Sequence, residues 1–303
     1  MRVTSSMMVR NAIHDLGVGY KRLADTQTKL VTGRAINRPS DHPTNATDAM
    51  NFRQQVRQNE QYLRNVDDAT GWLNTIDSRL MTGHDRLMRA KELVVLGMNT
   101  GAHGTPEART AMAAEIRTIR DEMLEIANGR FGDRPVFAGT AAAPAYEPDG
   151  TYRGDDRAIM RTIGQNAAVQ VNVAGTDVFG TARTDPDDAT QGPGDMFQLL
   201  ERIAVAIEQG NTTALNAEHG ELDKAMARVS SVAVEIGARA ARLESVKERA
   251  LDDDMNLRTM LSQVEDADMV EALVTMQAQQ NAYEAALSTT AQILPMSLLN
   301  FLR

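Results

Sequence analysis

Cysteine is absent from this chain, which excludes disulfides and every thiolate metal site. Aromatic residues are scarce, 4% of 303 positions with one Trp and six Phe, so packing falls to Met, Ala, Leu and Val. That palette suits helix-on-helix contacts. No stretch approaches the roughly 18 apolar residues of a membrane span, so no membrane insertion is expected. The opening residues, Met1 to Arg10, carry charge and hydroxyls where a secretory signal would be apolar. Any export is therefore expected to use a route without a cleaved signal. Positive charge is also in deficit, 32 Lys and Arg against 41 Asp and Glu, a net charge of −9. A nucleic-acid partner needs a basic surface and is not expected.

What remains, 42% hydrophobic and 24% charged, fits a folded protein. Apolar residues in the first segment alternate by four and three: Val9, Ile13, Leu16, Tyr20, Leu23, then Gln27 and Leu30. This is a coiled-coil seam. Pro39 and Pro43 interrupt it. A second seam, Leu73, Ile76, Leu80, Gly83, Leu87, Ala90 and Val94, lies in a helical run from about Thr44 to Thr100. Fifty-odd residues would make a helix of roughly 80 Å, which predicts an elongated molecule. After Gly101 to Pro106, Met112, Ile116, Ile119, Met123 and Ile126 predict a third helix ending at Asn128-Gly129.

From Gly129 to Asp195 the pattern shortens. Val169, Val171 and Val173 alternate with Gln170 and Asn172, and Ala158 to Ile163 is their expected partner through Gly164-Gln165-Asn166. This predicts a small antiparallel β insertion, followed by a polar linker from Asp185 to Gly194. Helices resume at Met196, with one seam through Leu222, Val229, Ile236 and Leu243, and a last through Leu273, Met276, Tyr283, Leu287 and Leu294. The expected fold class is mainly α: a long-helix bundle formed by both chain ends, with a β domain inserted mid-chain. Three parts are predicted, 1–45 with 265–303, 46–130 with 195–264, and 131–194.

Residues 272–302 hold a single charged side chain, Glu284, amid Gln, Asn, Ser and Thr. A solvent-facing helix of that length carries more charge, so neighbouring copies are expected to enclose this one. Residues 1–45 hold seven Arg and Lys against three Asp, whereas residues 252–271 hold seven acids against Arg258. Opposite charge favours the meeting of the two ends, though exposed pairs contribute only about 0–1 kcal/mol each. The predicted assembly interface is Ile13, Leu16, Tyr20, Leu23 and Leu30 with Leu273, Met276, Tyr283, Leu287 and Leu294. Within it, Leu16, Leu23 and Leu30 are expected to face Leu273, Leu287 and Leu294.

Catalytic readings fare worse than structural ones. The five histidines are scattered, without metal-ligand spacing. Gly17-Val18-Gly19 opens like a dinucleotide loop, but Arg22 stands at the third glycine and no strand precedes it. The Asp185 to Asp188 run has Thr190 where a calcium loop needs glycine, and Asp155-Asp156 reads as a turn. Trp72 reads as packing beside Leu73. No catalytic, cofactor or metal residue is assigned, and no enzyme is expected.

Leu30-Val31-Thr32-Gly33-Arg34-Ala35-Ile36-Asn37, near one end, and Leu261-Ser262-Gln263-Val264-Glu265-Asp266-Ala267-Asp268, near the other, together resemble the paired signatures of the flagellin superfamily. Gln277 to Leu287 and Ala291 to Leu302 are similar to its closing helix and tail. Pro39-Ser40-Asp41-His42-Pro43, Phe137-Ala138-Gly139-Thr140 and Tyr152-Arg153-Gly154-Asp155 resemble the hook–filament junction branch more than filament flagellins, although His42 replaces an expected aspartate. The resemblance implies a structural subunit exported by the flagellar type III system. It implies self-association into a ring or short helical turn, between a hook-proximal junction protein of the FlgK type and flagellin, with a cytoplasmic export chaperone. Flagellin itself is the alternative, and a helical signalling or chaperone module a more distant one.

Overall fold

The computed structural model describes residues 5–100, 104–180 and 195–301. Seven helices and four short strands occupy them. The chain forms two units, Met1–Asn59 with Asp252–Arg303, and Glu60–Leu251.

In the second unit, the 4–3 seams become the core. Helix α2 (Pro43–Thr100) buries Leu73, Ile76, Leu80, Leu87, Ala90 and Val94 completely or nearly so. Helix α3 (Pro106–Ala127) buries Ile116, Ile119, Met123 and Ile126. Its start is fixed by Pro106 and by Thr105, whose hydroxyl accepts from the Ala108 amide at 3.3 Å. Helix α5 (Met196–Gln209) packs on α3 through Leu199, Leu200, Ile203 and Ile207. Arg117 and Arg120 of α3 reach Glu201 of α5 across the rim, at 3.1 and 2.5 Å. These pairs are partly exposed and steer register more than they stabilise. Gly210 ends α5, and α6 (Thr212–Glu265) contributes Leu215, Leu222, Val229, Ile236 and Leu243 to the same core.

The mid-chain region contains the expected hairpin. Strand β3 (Met160–Gly164) pairs antiparallel with β4 (Ala167–Gln170), and Val169, Val171 and Val173 are buried. Asn172 departs from the alternation: it is buried, not solvent-facing. Its amide accepts from Ile159 N at 2.7 Å and donates to Arg157 O at 2.8 Å, so a side chain continues the pairing where the ladder stops. A second pair, β1 (Arg130–Phe131) with β2 (Arg134–Pro135), and the single-turn α4 (Gly175–Phe179) were not legible in the sequence. The linker expected from Asp185 to Gly194 lies outside the described residues.

Side chains, more than strands, hold this region together. Asp155 accepts from both the Thr140 amide (2.7 Å) and hydroxyl (2.6 Å), which holds its carboxyl below the usual carboxylate range. Gly139, at φ +66°, makes the turn; a Cβ there would collide with the Asp155 backbone. The phenylalanine–glycine–threonine and tyrosine–glycine–aspartate runs thus close on each other. Tyr146 packs among Tyr152, Phe179 and Phe197, with centroids 5.0 to 5.7 Å away. Below it Asp195 caps α5, accepting from Phe197 N at 2.9 Å, and is 1% exposed. Its other carboxylate oxygen has no hydrogen-bond partner among the described residues. Burial pushes this acid up to about 7, with the Phe197 amide and Arg202 pulling the other way.

Candidate assembly site

Helix α1 (Ser5–Thr32) packs along α7 (Met269–Phe301) in the first unit. The covered positions of α1 are Ala12, Leu16, Gly19, Leu23, Thr26 and Leu30, again spaced four and three, with Ala24 and Lys29 half-buried beside them. A Cβ on Gly19 would stand 3.5 Å from the Tyr283 ring, which places this column against α7. On α7 the covered positions are Ala272, Met276, Gln279, Gln280, Tyr283 and Thr290. The seam mixes small side chains and two amides with Leu16, Leu23, Leu30, Met276 and Tyr283. Among the described side chains of the two helices, only Thr26 and Thr290 are fully buried, and neither is apolar.

The predicted interface residues divide accordingly. Leu16, Leu23, Leu30, Met276 and Tyr283 are half-buried. Ile13 is 60% exposed, Tyr20 62%, Leu273 55% and Leu287 44%. Leu273 and Leu287, expected to face Leu16, Leu23 and Leu30, are therefore turned largely to solvent, and Met276, Gln279, Gln280 and Tyr283 occupy the covered face of α7. Leu294 belongs to α7, but its side chain lies outside the described residues. Tyr20 keeps one contact across the pair, its ring centroid 6.2 Å from that of Tyr283. Val18, Met269, Val270 and Val274 extend the exposed apolar surface.

Hydroxyls on this surface close on their own helices. Thr26, Thr28 and Thr32 donate to the carbonyls of Arg22, Ala24 and Thr28, at 2.8 to 3.0 Å. Ser288, Thr289 and Thr290 do the same toward Ala285 and Ala286.

The chain breaks between α1 and α2 and between α6 and α7 come together. Gly33, at φ +70°, ends α1, its amide donating to Lys29 O at 2.8 Å. Arg34 then forms an antiparallel bridge with Asp266; Ala35 N donates to Glu265 O at 2.7 Å and Ala267 N to Gly33 O at 2.9 Å. Glu265 is 4% exposed. Its Oε1 lies 2.5 Å from both Arg34 Nε and Arg53 Nη2, while Arg53 Nε donates to Oε2 at 3.0 Å. Ile36, Ala46 and Ala49 are buried close by in the chain. The opposite charges of the chain ends meet in this clasp. Several other acids act locally: Asp41 accepts from the Asn37 and Arg38 amides, Asp266 from Ser262, and Asp268 caps α7. Arg34 and Glu265 were visible as motif residues; Arg53 was not, since nothing in its local pattern separates it from other surface arginines of α2.

No group of His, Cys, Asp and Glu able to hold a metal occurs among the described residues. No described helix is long and apolar enough to cross a membrane.

Residues 3–142 match the bacterial flagellin N-terminal helical region, and residues 220–302 the bacterial flagellin C-terminal helical region. The chain is 24% identical over 316 residues to flagellar hook-associated protein 3 of Salmonella typhimurium, covering 98% of each. It is 25% identical over 281 residues to flagellin of Bacillus subtilis, covering 90% of each. Among solved structures, FlgL of Bacillus cereus superposes with a TM-score of 0.60 at 19% identity, over 70% of this chain and 99% of that one. The flagellar junction protein FlgL of Legionella pneumophila gives 0.58 at 15% identity, over 72% and 99%. These superpositions show a common fold.

Proposed function

We infer the function of this chain from one premise: it belongs to the flagellin family, with both terminal helical regions present. It is a structural, non-enzymatic subunit of the bacterial flagellum, joining hook to filament. The observation that carries this reading is the unfinished state of the α1–α7 pair. Among the described residues the seam of these two helices holds no fully buried apolar side chain and its flanks expose Ile13, Tyr20, Leu273 and Leu287, too little burial to offset the cost of ordering them. Neighbouring copies supply the missing contacts, in a ring or short helical turn.

The end-to-end similarity to hook-associated protein 3 favours the junction over the filament. In this reading residues 1–45 with 265–303 form the inner assembly part, 46–130 with 195–264 a helical rod, and 131–194 the outward β-rich part. Flagellin docks on one side and the hook-proximal junction protein on the other. The type III flagellar channel exports the chain, after a cytoplasmic chaperone has held its ends.

Similarity to the Bacillus flagellin keeps a second reading, the filament subunit itself. Deleting the gene separates the two. A junction subunit leaves hooks in place and flagellin shed unpolymerised into the medium. Loss of all flagellin protein from cells and medium would overturn the junction assignment and favour the filament.

A further inference from the structure

Resting on the reading that copies of this chain assemble, we propose that the arginine-rimmed pocket beside Glu265 receives the Asp252–Met255 segment of a second copy.

The pocket encloses about 180 Å³ and lies wholly within the first unit. Its apolar floor is Ile36, Ala46, Ala49 and Met50; the first three are buried, whereas Met50 is 55% exposed. Its rim sets Arg34, Arg38 and Arg53 against a single acid, Glu265, two positive charges in excess in a chain of net charge −9. Glu265 engages Arg34 and Arg53. Arg38 is exposed, and its guanidinium has no partner among the described residues. What such a pocket fits is a carboxylate beside an apolar side chain.

Helix α6 offers that pair. Asp252 and Asp253 are exposed and have no partner among the described residues, whereas Asp254 is held by Arg258 at 2.6 Å. Met255 is 68% exposed and three residues from Asp252, so the two share a helix face. An exposed thioether next to an unpaired carboxylate complements Met50 next to an unpaired guanidinium, and methionine adapts to irregular gaps. No chain can fill its own pocket. Asp252 stands thirteen residues of continuous helix from Glu265, which at 1.5 Å each is about 20 Å. The two surfaces are different parts of one chain, so the contact is heterologous: each copy gives its segment to one neighbour and receives that of another. Repeated, such a contact builds a ring or a helical turn.

Charge reversal in cells tests this, with the full-length chain in isolated flagella measured by immunoblot against the unaltered protein. Arg38→Glu and Asp252→Arg should each cut incorporation on the order of tenfold, because like charges then face each other. Both side chains are exposed, so the urea midpoint of each purified variant should not move. Carrying both reversals should restore incorporation to within about twofold of the unaltered level. No recovery in the double variant overturns the pairing and gives the pocket to an acidic segment of a different protein. Asp48→Arg, exposed on the far face of α2, should incorporate normally; an equal loss there would reduce the effect to net charge and also overturn the pairing. The chain has no cysteine, which permits a direct check. Met50→Cys and Met255→Cys in one chain should give a ladder of disulfide-linked copies when assembled flagella are oxidised, and each single variant none. A dimer from either single variant, or no ladder while the unaltered chain is present in flagella, overturns this contact alone. Absence of the unaltered chain from flagella would overturn the assembly reading, and this contact with it.

Discussion

Asp195 should make the stability of the second unit fall as pH rises through neutrality, and Asp195→Asn should abolish that slope. The carboxyl is buried, caps α5 with one oxygen and has no partner among the described residues for the other, and burial raises it from 3.8 to about 7. A folded-state value above the unfolded one means the neutral acid is favoured by folding. Its contribution is complete below about pH 4 and is lost as pH climbs through 7. Three units at 1.36 kcal/mol each give about 4 kcal/mol, and an effective dielectric nearer 20 than 4 brings the expectation to about 2 kcal/mol. Asparagine keeps a cap acceptor and cannot ionise. Urea unfolding followed by Trp72, the single tryptophan and 2% exposed in this unit, reports the transition. The variant should gain on the unaltered protein by about 2 kcal/mol between pH 4 and pH 8, with histidine titrations cancelling in the difference. A constant difference across that range would refute the reasoning.

Three other substitutions discriminate among the links of the argument. Leu287→Asp replaces a side chain already 44% exposed, so monomer unfolding should shift by less than about 0.5 kcal/mol while polymerisation and motility fail; normal swimming would count against the assembly surface. Gly139→Ala places a Cβ against the Asp155 backbone at positive φ and should cost about 1–3 kcal/mol in thermal or urea unfolding. Asn172→Ala strands the Ile159 amide and the Arg157 carbonyl; a loss of about 1–3 kcal/mol is expected, with faster exchange of the Ile159 amide.

The helices of the second unit were legible because their apolar period is the direct record of burial. Leu73, Ile76, Leu80, Leu87 and Val94 mark one face, and that face is the core. In α1 the same rule is ambiguous. The column Leu16, Leu23, Leu30 can be completed by Ile13 and Tyr20, three residues back, or by Ala12, Gly19 and Thr26, four back. Hydropathy favours the first set; close approach of two helices favours the second, because small side chains let the backbones near each other. The structure takes the second, and the larger residues are left at the flank. Asn172 and Asp195 were beyond reach for a different reason. Whether an amide replaces a strand hydrogen bond, or an acid is cut off from water, depends on segments far away in sequence. Arg53 shows the same limit: its partner, Glu265, is 212 residues distant.

The self-satisfied hydroxyls of α1 and α7 carry a last consequence. A Thr or Ser that already bonds its own helix asks nothing of a visitor, so what it presents is chiefly methyl and methylene. Sliding another helix along such a face by a turn strands none of these hydroxyls. A surface of this kind tolerates several alignments where a row of matched amides would enforce one. That latitude suits the junction role proposed above, in which the mates on either side are different proteins.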